Sequence, residues 1–425
     1  MKVLIVGCGL AGLAAALSLS SNNNDDDEDI QITIVEKRQD LESKGATFGL
    51  QINGQNALNE IAGGSSGSGK KNCAMLDKLI TAGLLIPSSG GYMLPWWTVR
   101  DTLLEEVQAR NDKIKIHLGV SIDTVSEQDD GSYIATFHDD PLQINADLII
   151  GADGVHSYVR REILSLPRAT PSGAYVWRGS VDTNAAAGLK CLQEFPVGKL
   201  TQFGEGIIMA LFNFHPKVLG QSAWVVTVRV GMLPDNMSID CGTTTPIDLI
   251  QAYMDSADGK NADDEKLKKN YELAMLVLNN THQPSDLTWS SEMGVVDLNQ
   301  EEIGWGGKGR ITLIGDAAHA IRPASGLGGS LAFEDAAMLG RYIARSNTSN
   351  ASIEEQLRAF EKIRLPRCKS ISNDQSIRAE LSYKVGFGGV PAWDKAYEKW
   401  VQEGIDSSPE PPVSEMDVLA DLLVD

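Results

Sequence analysis

The chain opens on a strand, a glycine-rich turn and a helix, and this unit constrains the fold more than any other feature. Its first residues are MKVLIVGCGLAGLAAALSLS, in which Gly7, Gly9 and Gly12 form GxGxxG directly after an apolar run. The first glycine makes the turn, the second admits a pyrophosphate, and the third lets helix and strand pack closely. A second apolar run, IQITIVEK, places Glu36 at its end, where it can hold a ribose. These features predict a dinucleotide-binding unit, but they do not choose between NAD and FAD.

A second strand, loop and helix lie late in the chain, between residues 310 and 341. The apolar run 311–314 predicts a buried strand, Gly315 and Asp316 a turn, and LAFEDAAMLG a helix from about Ser330. Asp316 can accept hydrogen bonds from ligand hydroxyls, and glycines before a helix let the backbone approach an anionic ligand. The loop residues concerned are Pro323, Gly326, Gly328 and Gly329. The alternative is a connection in which the glycines only serve tight turns.

Two middle segments carry further candidates. MLPWWTVRDTLLEEVQAR predicts a helix that begins near Val99, with Arg100 in its first turn. A cation there opposes the helix dipole, so an anionic ligand would explain it; the alternative is an ordinary surface arginine. ADLIIGADGVHSYVRREIL predicts another strand, turn and helix, with Asp153 and Gly154 at the turn.

The apolar pattern changes along the chain and predicts an inserted domain. Strand-like segments fill residues 174–231, charged helical ones follow at 246–280, and the chain then returns to the first domain. A late helix, IEEQLRAFEKIRL, is expected to stop at Pro366. We therefore predict an α/β fold with a discontinuous Rossmann-type dinucleotide-binding domain, an inserted β-sheet domain, C-terminal helices and a tail. The first domain comprises residues 1–170 and 285–385, the inserted domain comprises residues 171–284, and the tail comprises residues 386–425.

Composition narrows the function class. No run of 18 apolar residues occurs, so no transmembrane segment is expected. The formal net charge of −20 argues against nucleic acid and anionic membranes as partners. The five cysteines and six histidines lack metal-ligand spacing, which predicts a reducing compartment and no metal site. Because the chain starts directly on an apolar strand, we expect no targeting peptide and a cytoplasmic protein. We expect a monomer or a homodimer.

Three signatures stand in a characteristic order: GCGLAG, IIGADGVHSYVR and LIGDAAHAIRPASGLGG. Together they resemble the FAD-dependent monooxygenases of the para-hydroxybenzoate hydroxylase type, the single-component aromatic hydroxylases, over residues 1–367. YVWRG and FEKIRLPR also look like that family. One position departs from its pattern, because Ser330 stands where many members have an asparagine that contacts the flavin. Serine is shorter there but an adequate helix N-cap.

The resemblance implies cofactor roles for particular residues. The glycine turn would hold the FAD pyrophosphate, Glu36 the adenosine ribose, and Arg100 the phosphate and ribityl side. Asp316 would bind the ribityl chain, and Pro323 would lie by the reacting flavin carbon. Asp153 and Gly154 would serve both FAD and NAD(P)H, and the amides of residues 326–329 would face the pyrimidine edge. The full implied set is Gly7, Gly9, Leu10, Ala11, Gly12, Glu36, Lys37, Arg100, Asp153, Gly154, Asp316, Pro323, Gly326, Gly328 and Gly329.

The resemblance also implies an activity. NADH or NADPH would reduce FAD, and oxygen would form a flavin C4a-hydroperoxide that hydroxylates or epoxidises a small, aromatic substrate. No catalytic side chain is assigned, and a structural role is favoured for His319. Substrate contacts are expected from the inserted sheet, with the candidates Trp177, Arg178, Phe203, Met209, Phe212 and Trp224. Two alternatives remain: an isoprenoid-directed flavin epoxidase or reductase, and a non-catalytic FAD-binding protein.

Overall fold

The protein combines a parallel sheet with a separate antiparallel sheet. The computed structural model describes residues 1–21, 30–41, 47–62, 73–86, 90–182, 190, 198–203, 206–213, 221–233, 237–239, 243–256, 265–281, 288–290, 294–300, 304–322, 326–348 and 351–385. Within these residues, no helix is both long and apolar enough to span a membrane.

The strands, in chain order, are β1 (Lys2–Val6), β2 (Gln31–Glu36), β3 (Thr47–Leu50), β4 (Leu84–Ile86), β5 (Gly91–Pro95), β6 (Ile114–Leu118), β7 (Ile122–Glu127), β8 (Tyr133–Phe137), β9 (Asp140–Ala146), β10 (Leu148–Gly151), β11 (Thr170–Pro171), β12 (Ala174–Asp182), β13 (Gly198–Gln202), β14 (Ile207–Asn213), β15 (Gln221–Arg229), β16 (Thr288–Ser290), β17 (Gly294–Val295) and β18 (Ile311–Leu313). The helices are α1 (Leu10–Ser21), α2 (Ile52–Ile61), α3 (Ala74–Ala82), α4 (Trp96–Gln108), α5 (Pro246–Asp255), α6 (Glu265–Asn279), α7 (Asp316–His319), α8 (Gly328–Thr348) and α9 (Ile353–Val385). A π-helical turn spans Val159–Ile163, and a 3₁₀ turn spans Val230–Met232.

The parallel sheet has the strand order β18-β10-β1-β2-β6, and each neighbouring pair is parallel. Its inner strands β1 and β10 are apolar and buried almost throughout, as is typical where helices cover both faces of a sheet. Helix α1 is buried along almost its whole length and packs against α8. The predicted α/β class with a Rossmann-type parallel sheet is confirmed.

The antiparallel sheet has the order β13-β14-β15-β12-β16. Side chains of its strands alternate between two faces. One face joins α5 and α6 in a hydrophobic core separate from the core around the parallel sheet. Helix α5 begins with a capping box, in which Thr245 and Asp248 bond each other's backbone. A two-stranded ribbon of β11 and β17 joins the chain segments before and after this unit. The boundaries at 171 and 284 stay a prediction.

Helix α9 corrects one expectation, since it continues through Pro366 to Val385. A proline inside a helix removes one hydrogen bond and favours a kink or an end. Here Arg364 and Arg367, on either side of the proline, both bond to Glu334 of α8. These ion pairs hold α9 against α8 across the proline.

Candidate cofactor site

The candidate cofactor residues gather at one edge of the parallel sheet. Gly7 follows β1, Glu36 ends β2, Asp153 follows β10, and Asp316 follows β18. These four strands are neighbours and run in the same direction, so their carboxyl ends share an edge. Ligands of open α/β sheets bind in the crevice outside that edge.

The glycines of the first turn have three different environments. Gly7 has φ +110°, and a Cβ on it would lie 2.4 Å from the Ala152 carbonyl oxygen. A Cβ on Gly12 would lie 2.0 Å from the Gly7 carbonyl oxygen. A Cβ on Gly9 would meet no protein atom within 4 Å. The protein's own backbone therefore requires Gly7 and Gly12, whereas Gly9 faces open space at the start of α1, where Leu10 and Ala11 follow.

Glu36 lies directly beside this turn. Its carboxylate accepts hydrogen bonds from the Cys8 amide at 3.0 Å and the Arg38 amide at 3.1 Å. The side chain is 11% exposed, so it is held in place but remains reachable. Lys37 is exposed at the surface. The open space at Gly9, the helix start and the fixed carboxylate fit a pyrophosphate and its ribose.

Arg100 is not an ordinary surface arginine. Helix α4 begins at Trp96, so Arg100 lies in its second turn and the predicted first-turn position is wrong. Its side chain is 3% exposed, bonds to Asp101 through Nε at 2.9 Å and Nη2 at 2.6 Å, and lies over the Trp96 ring. Burial raises the pKa of the Cys8 thiol to about 12, and Glu36 adds to this, while the nearby Arg100 charge opposes it. Arg100 therefore places a buried positive charge beside the glycine turn.

Asp153 caps the π-helical turn. Its carboxylate accepts hydrogen bonds from the amides of Tyr158 at 2.6 Å and Val159 at 3.1 Å, and from the Ser157 hydroxyl. Burial raises its pKa, although these donors act in the opposite direction. The carboxylate thus has a clear local role, and its contact with a cofactor stays a prediction. Gly154, with φ +79°, faces open space.

Asp316 stands at the meeting point of three elements. The preceding Gly315 has φ +58°, and a Cβ on it would lie 2.9 Å from Ala11 of α1 and 3.3 Å from Ala332 of α8. A Cβ on Gly328 would lie 4.0 Å from Asp316 Oδ1. The glycine turn, the turn at Asp316 and the start of α8 therefore lie close together.

The carboxylate of Asp316 is both accessible and poorly hydrated. The residue is exposed to solvent, yet loss of hydration raises its pKa. His319 and Arg178 lower that pKa, and Asp335 raises it. Asp316 is therefore reachable from solvent, while the groups packed around it limit its hydration. Such a carboxylate is placed to accept hydrogen bonds from ligand hydroxyls.

The glycine loop before α8 packs against β3. Helix α8 begins at Gly328, two residues earlier than predicted. A Cβ on Gly329 would lie 2.0 Å from the Phe48 ring, so packing requires this glycine, while Gly326 has φ +71° and is exposed. Pro323 lies outside the described residues.

Ser330 is the third residue of α8 and so is not its N-cap. It is fully buried, accepts a hydrogen bond from the Gln51 amide at 3.3 Å and lies 3.5 Å from the Gly49 carbonyl oxygen. A Cβ on Gly54 would lie 2.6 Å from its hydroxyl. The small serine thus links α8 to the segment between β3 and α2.

The six substrate candidates divide between the two faces of the antiparallel sheet. Four of them belong to the hydrophobic core under α5 and α6, and these are Trp177, Phe203, Met209 and Trp224. These four side chains pack in that core. The sequence could not predict this, because the alternation of a strand does not reveal which face the helices cover. Arg178 and Phe212 lie on the opposite face by the same alternation.

Arg178 connects this opposite face with the cofactor residues. It is half-buried, and burial lowers the pKa of its guanidinium while the charge of Asp316 raises it. Its cross-strand neighbour on β15 is Val225, which in turn pairs with Ala210 of β14. Arg178 therefore lies near enough to Asp316 for the two charges to affect each other's pKa.

One group of functional candidates was missed by sequence reasoning. Glu334 and Asp335 lie buried in the middle of α8, where they pair with Arg364 of α9. Asp335 also bonds to His319, which agrees with the structural role favoured for this histidine. A signal was present, since two adjacent acids inside the apolar run LAFEDAAML need buried cations.

Comparisons with known proteins agree with this geometry. A family model described as FAD binding domain matches residues 83–374. An aurachin C monooxygenase/isomerase of Stigmatella aurantiaca is 25% identical over 415 residues, which cover 95% of this chain and 93% of the relative. A 2-heptyl-3-hydroxy-4(1H)-quinolone synthase of Pseudomonas aeruginosa is 24% identical over 428 residues, covering 95% and 92%. Klebsiella pneumoniae HpxO, solved with FAD and uric acid, superposes with a TM-score of 0.66 at 20% identity, covering 95% and 93%.

Proposed function

Because the chain belongs to the FAD binding domain family of FAD-dependent monooxygenases, we propose that it uses NADH or NADPH and molecular oxygen to hydroxylate or epoxidise a small aromatic substrate. The cofactor is FAD, and the protein is an oxidoreductase. We propose the choice of reductant, the substrate class and the roles of the individual residues.

The proposal rests on two groups of residues along one edge of the parallel sheet. One group suits the adenosine half of FAD, and the other suits its redox-active half. Gly9 leaves open space at the start of α1, and the fixed carboxylate of Glu36 lies next to it. These features suit the pyrophosphate and the adenosine ribose, parts that FMN lacks. Arg100 adds a buried positive charge on the same side, and arginine binds phosphate strongly.

The other end of the cleft would hold the redox-active half. Asp316 would accept hydrogen bonds from the ribityl hydroxyls, and the first amides of α8 would face the isoalloxazine. A helix N-terminus favours negative charge, so α8 would stabilise the charge of the reduced ring. When bound, FAD supplies the electron transfer and oxygen activation that amino-acid side chains cannot provide.

The substrate would lie between this end and the face of the antiparallel sheet that α5 and α6 do not cover. Arg178 lies on that face beside Val225, which pairs with Ala210, and its charge interacts with that of Asp316. An aromatic ring with an electron-rich oxygen suits such a surface, since the ring removes apolar area from water and the oxygen meets the cation. The name of the relative from Pseudomonas aeruginosa also indicates an aromatic product.

The experiment measures NADH and NADPH oxidation by the FAD-loaded protein. Phenols and aromatic heterocycles form one substrate panel, polyenes a second, and isotopically labelled dioxygen reports oxygen transfer to product. We expect faster oxidation and labelled product with an aromatic compound. Labelled product only from polyenes would favour the isoprenoid alternative. Bound FAD with no turnover of either nicotinamide across both panels would contradict the proposal.

A further inference from the structure

The short turn that carries Asp316 is held by a buried carboxylate from another element. Asp335 of α8 is fully buried. Its Oδ2 accepts a hydrogen bond from the Gly315 amide at 2.8 Å and lies 2.6 Å from Nε2 of His319. One oxygen atom thus contacts the turn on both sides of Asp316.

The same carboxylate is anchored from the opposite side by α9. Arg364, which is also fully buried, donates from Nε to Asp335 Oδ1 at 2.7 Å and from Nη1 to Glu334 Oε2 at 2.7 Å. Glu334 further accepts hydrogen bonds from Arg367 and Asn53. With Oδ1 on the arginine and Oδ2 on the turn, Asp335 has one favourable orientation.

Asp335 is ionised in this position. Burial alone would raise the pKa of a carboxyl group, but the charges of His319 and Arg364 and the donated hydrogen bonds hold the pKa of Asp335 at about 2. An ionised, fully paired carboxylate makes stronger hydrogen bonds than a neutral one. It can therefore fix the backbone that it contacts.

A metal site is the other way to interpret this cluster. His319, Asp335 and Cys368 offer ligand atoms within 4.8 Å of one another. However, both oxygens of Asp335 already accept hydrogen bonds, and the Arg364 guanidinium lies 3.6 Å from the Cys368 sulfur. A cation would have to displace these donors and lie against a positive charge, so the contacts favour a structural network over metal binding.

We propose that Asp335 is a positioning residue for FAD, which orients Asp316 by fixing the turn Gly315–His319. Arg160 assists from the other end, since its Nη1 lies 3.3 Å from the Ala317 carbonyl oxygen and 3.4 Å from that of Ala318. The inference rests on the proposed function, because it requires that Asp316 contacts the cofactor. It makes the C-terminal helix α9, through Arg364, part of the support of the cofactor site.

The test is a double-mutant cycle on FAD affinity. The dissociation constant of FAD is measured by flavin fluorescence for wild type, Asp335→Asn, Asp316→Ala and the double variant. If Asp335 acts through Asp316, Asp335→Asn should weaken binding by about tenfold in the wild-type background and by less than about threefold in the Asp316→Ala background. Such non-additivity is typical of residues that act as one unit.

Glu361→Gln is the matched control. Glu361 is another buried carboxylate of α9, and it bonds to Arg358 at 2.7 Å and to Thr312 of β18 at 2.6 Å. No hydrogen bond within the described part of the chain joins Glu361 to the turn at Asp316. Its loss should lower the melting temperature and leave FAD affinity within about twofold.

The outcomes separate the two proposals. An equal loss of affinity from Asp335→Asn in both backgrounds, or an equal loss from Glu361→Gln, would show general destabilisation and overturn the positioning role. Unchanged affinity in Asp316→Ala would instead remove the premise that Asp316 binds FAD. Should Asp335→Asn fail to fold, His319→Gln replaces it in the same cycle, since it alters the turn contact and leaves Asp335 paired with Arg364. Additive effects of that variant would count equally against the role.

Discussion

The residues proposed to hold the two ends of FAD, its adenosine end and its ribityl end, are themselves held in different ways. At the adenosine end the backbone forms the surface: Gly7 and Gly12 allow a tight turn, and two amides orient Glu36. At the ribityl end, Asp316 is held by a network of buried charges that reaches through Asp335 to Arg364. The first end depends on close approaches between backbone atoms, within the turn and to Ala152, and the second depends on ion pairs and hydrogen bonds between α7, α8 and α9.

This difference predicts different responses to mutation. At Gly7 and Gly12 the turn tolerates no added atom, because backbone atoms already fill the space that a Cβ would need. A charge network tolerates small changes of volume, but the loss of one member leaves its partners buried and unpaired. Substitutions at the adenosine end should therefore act through steric clashes, and substitutions at the ribityl end should act through the loss of charge pairing.

The largest effect should come from Gly12→Ala. Its Cβ would lie 2.0 Å from a carbonyl oxygen of the turn, so the apo-protein should lose about 3 kcal/mol of unfolding free energy or more. Gly9→Ala adds the same methyl group to open space and should leave apo stability within about 0.5 kcal/mol. Urea unfolding of both variants, with FAD titration of the second, measures the contrast. Equal destabilisation by both variants would show that Gly9 and Gly12 do not differ in their structural role.

Asp316→Ala should weaken FAD binding about ten- to hundredfold, because a hydrogen bond to a charged group contributes about 1.5–3 kcal/mol. Since the residue is exposed in the cleft, the melting temperature of the apo-protein should hardly change. Fluorescence titration and apo-protein melting are measured side by side. A collapse of stability at normal affinity would assign Asp316 to the structural network alone.

Lowering the pH should reduce the free energy of unfolding, because it protonates Asp335 at the ribityl end. The pKa of Asp335 is about 2 in the folded protein, against an ordinary value of 3.8. Its contribution is therefore present above about pH 4 and is lost as the pH falls through about 2. At about 1.4 kcal/mol for each pH unit, this contribution is ~2 kcal/mol. Unfolding free energies between pH 5 and 2 should fall less steeply in Asp335→Asn than in wild type; parallel curves would contradict the assignment.

The smallest effect is expected at Arg100. Asp101 already balances part of its charge, so Arg100→Ala should weaken FAD binding roughly fivefold, or about 1 kcal/mol, and Arg100→Gln should recover little. Arg110→Ala is the control, because Arg110 bonds to Leu17 and Ser20 at the far end of α1. It should lower stability without changing FAD affinity. Equal dissociation constants for wild type and Arg100→Ala would end the cofactor role of Arg100.

The same difference explains how much could be predicted from sequence. The glycine turn, Glu36 at the end of β2 and the parallel strands were predictable because each produces a short pattern in the sequence. The start of α4 was misplaced, since Pro95 precedes a helix that begins at Trp96 with two bulky aromatic residues. The Asp335 network joins residues far apart in the chain, which no local pattern reveals. Likewise, strand alternation separated the two faces of the inserted sheet but could not say which face α5 and α6 cover.

The placement of β18 also affects how the nascent chain folds. Strand β18 completes the sheet beside β10, but 160 positions separate Gly151 at the end of β10 from Ile311. At roughly 5–20 residues per second, the ribosome needs about 8 to 30 seconds to synthesise that interval. During this time the β10 edge has no partner strand, and unpaired edges promote aggregation. We expect ribosome-arrested chains that end before residue 311 to be more protease-sensitive around β10 than chains that include α8; equal sensitivity would argue against this order of folding.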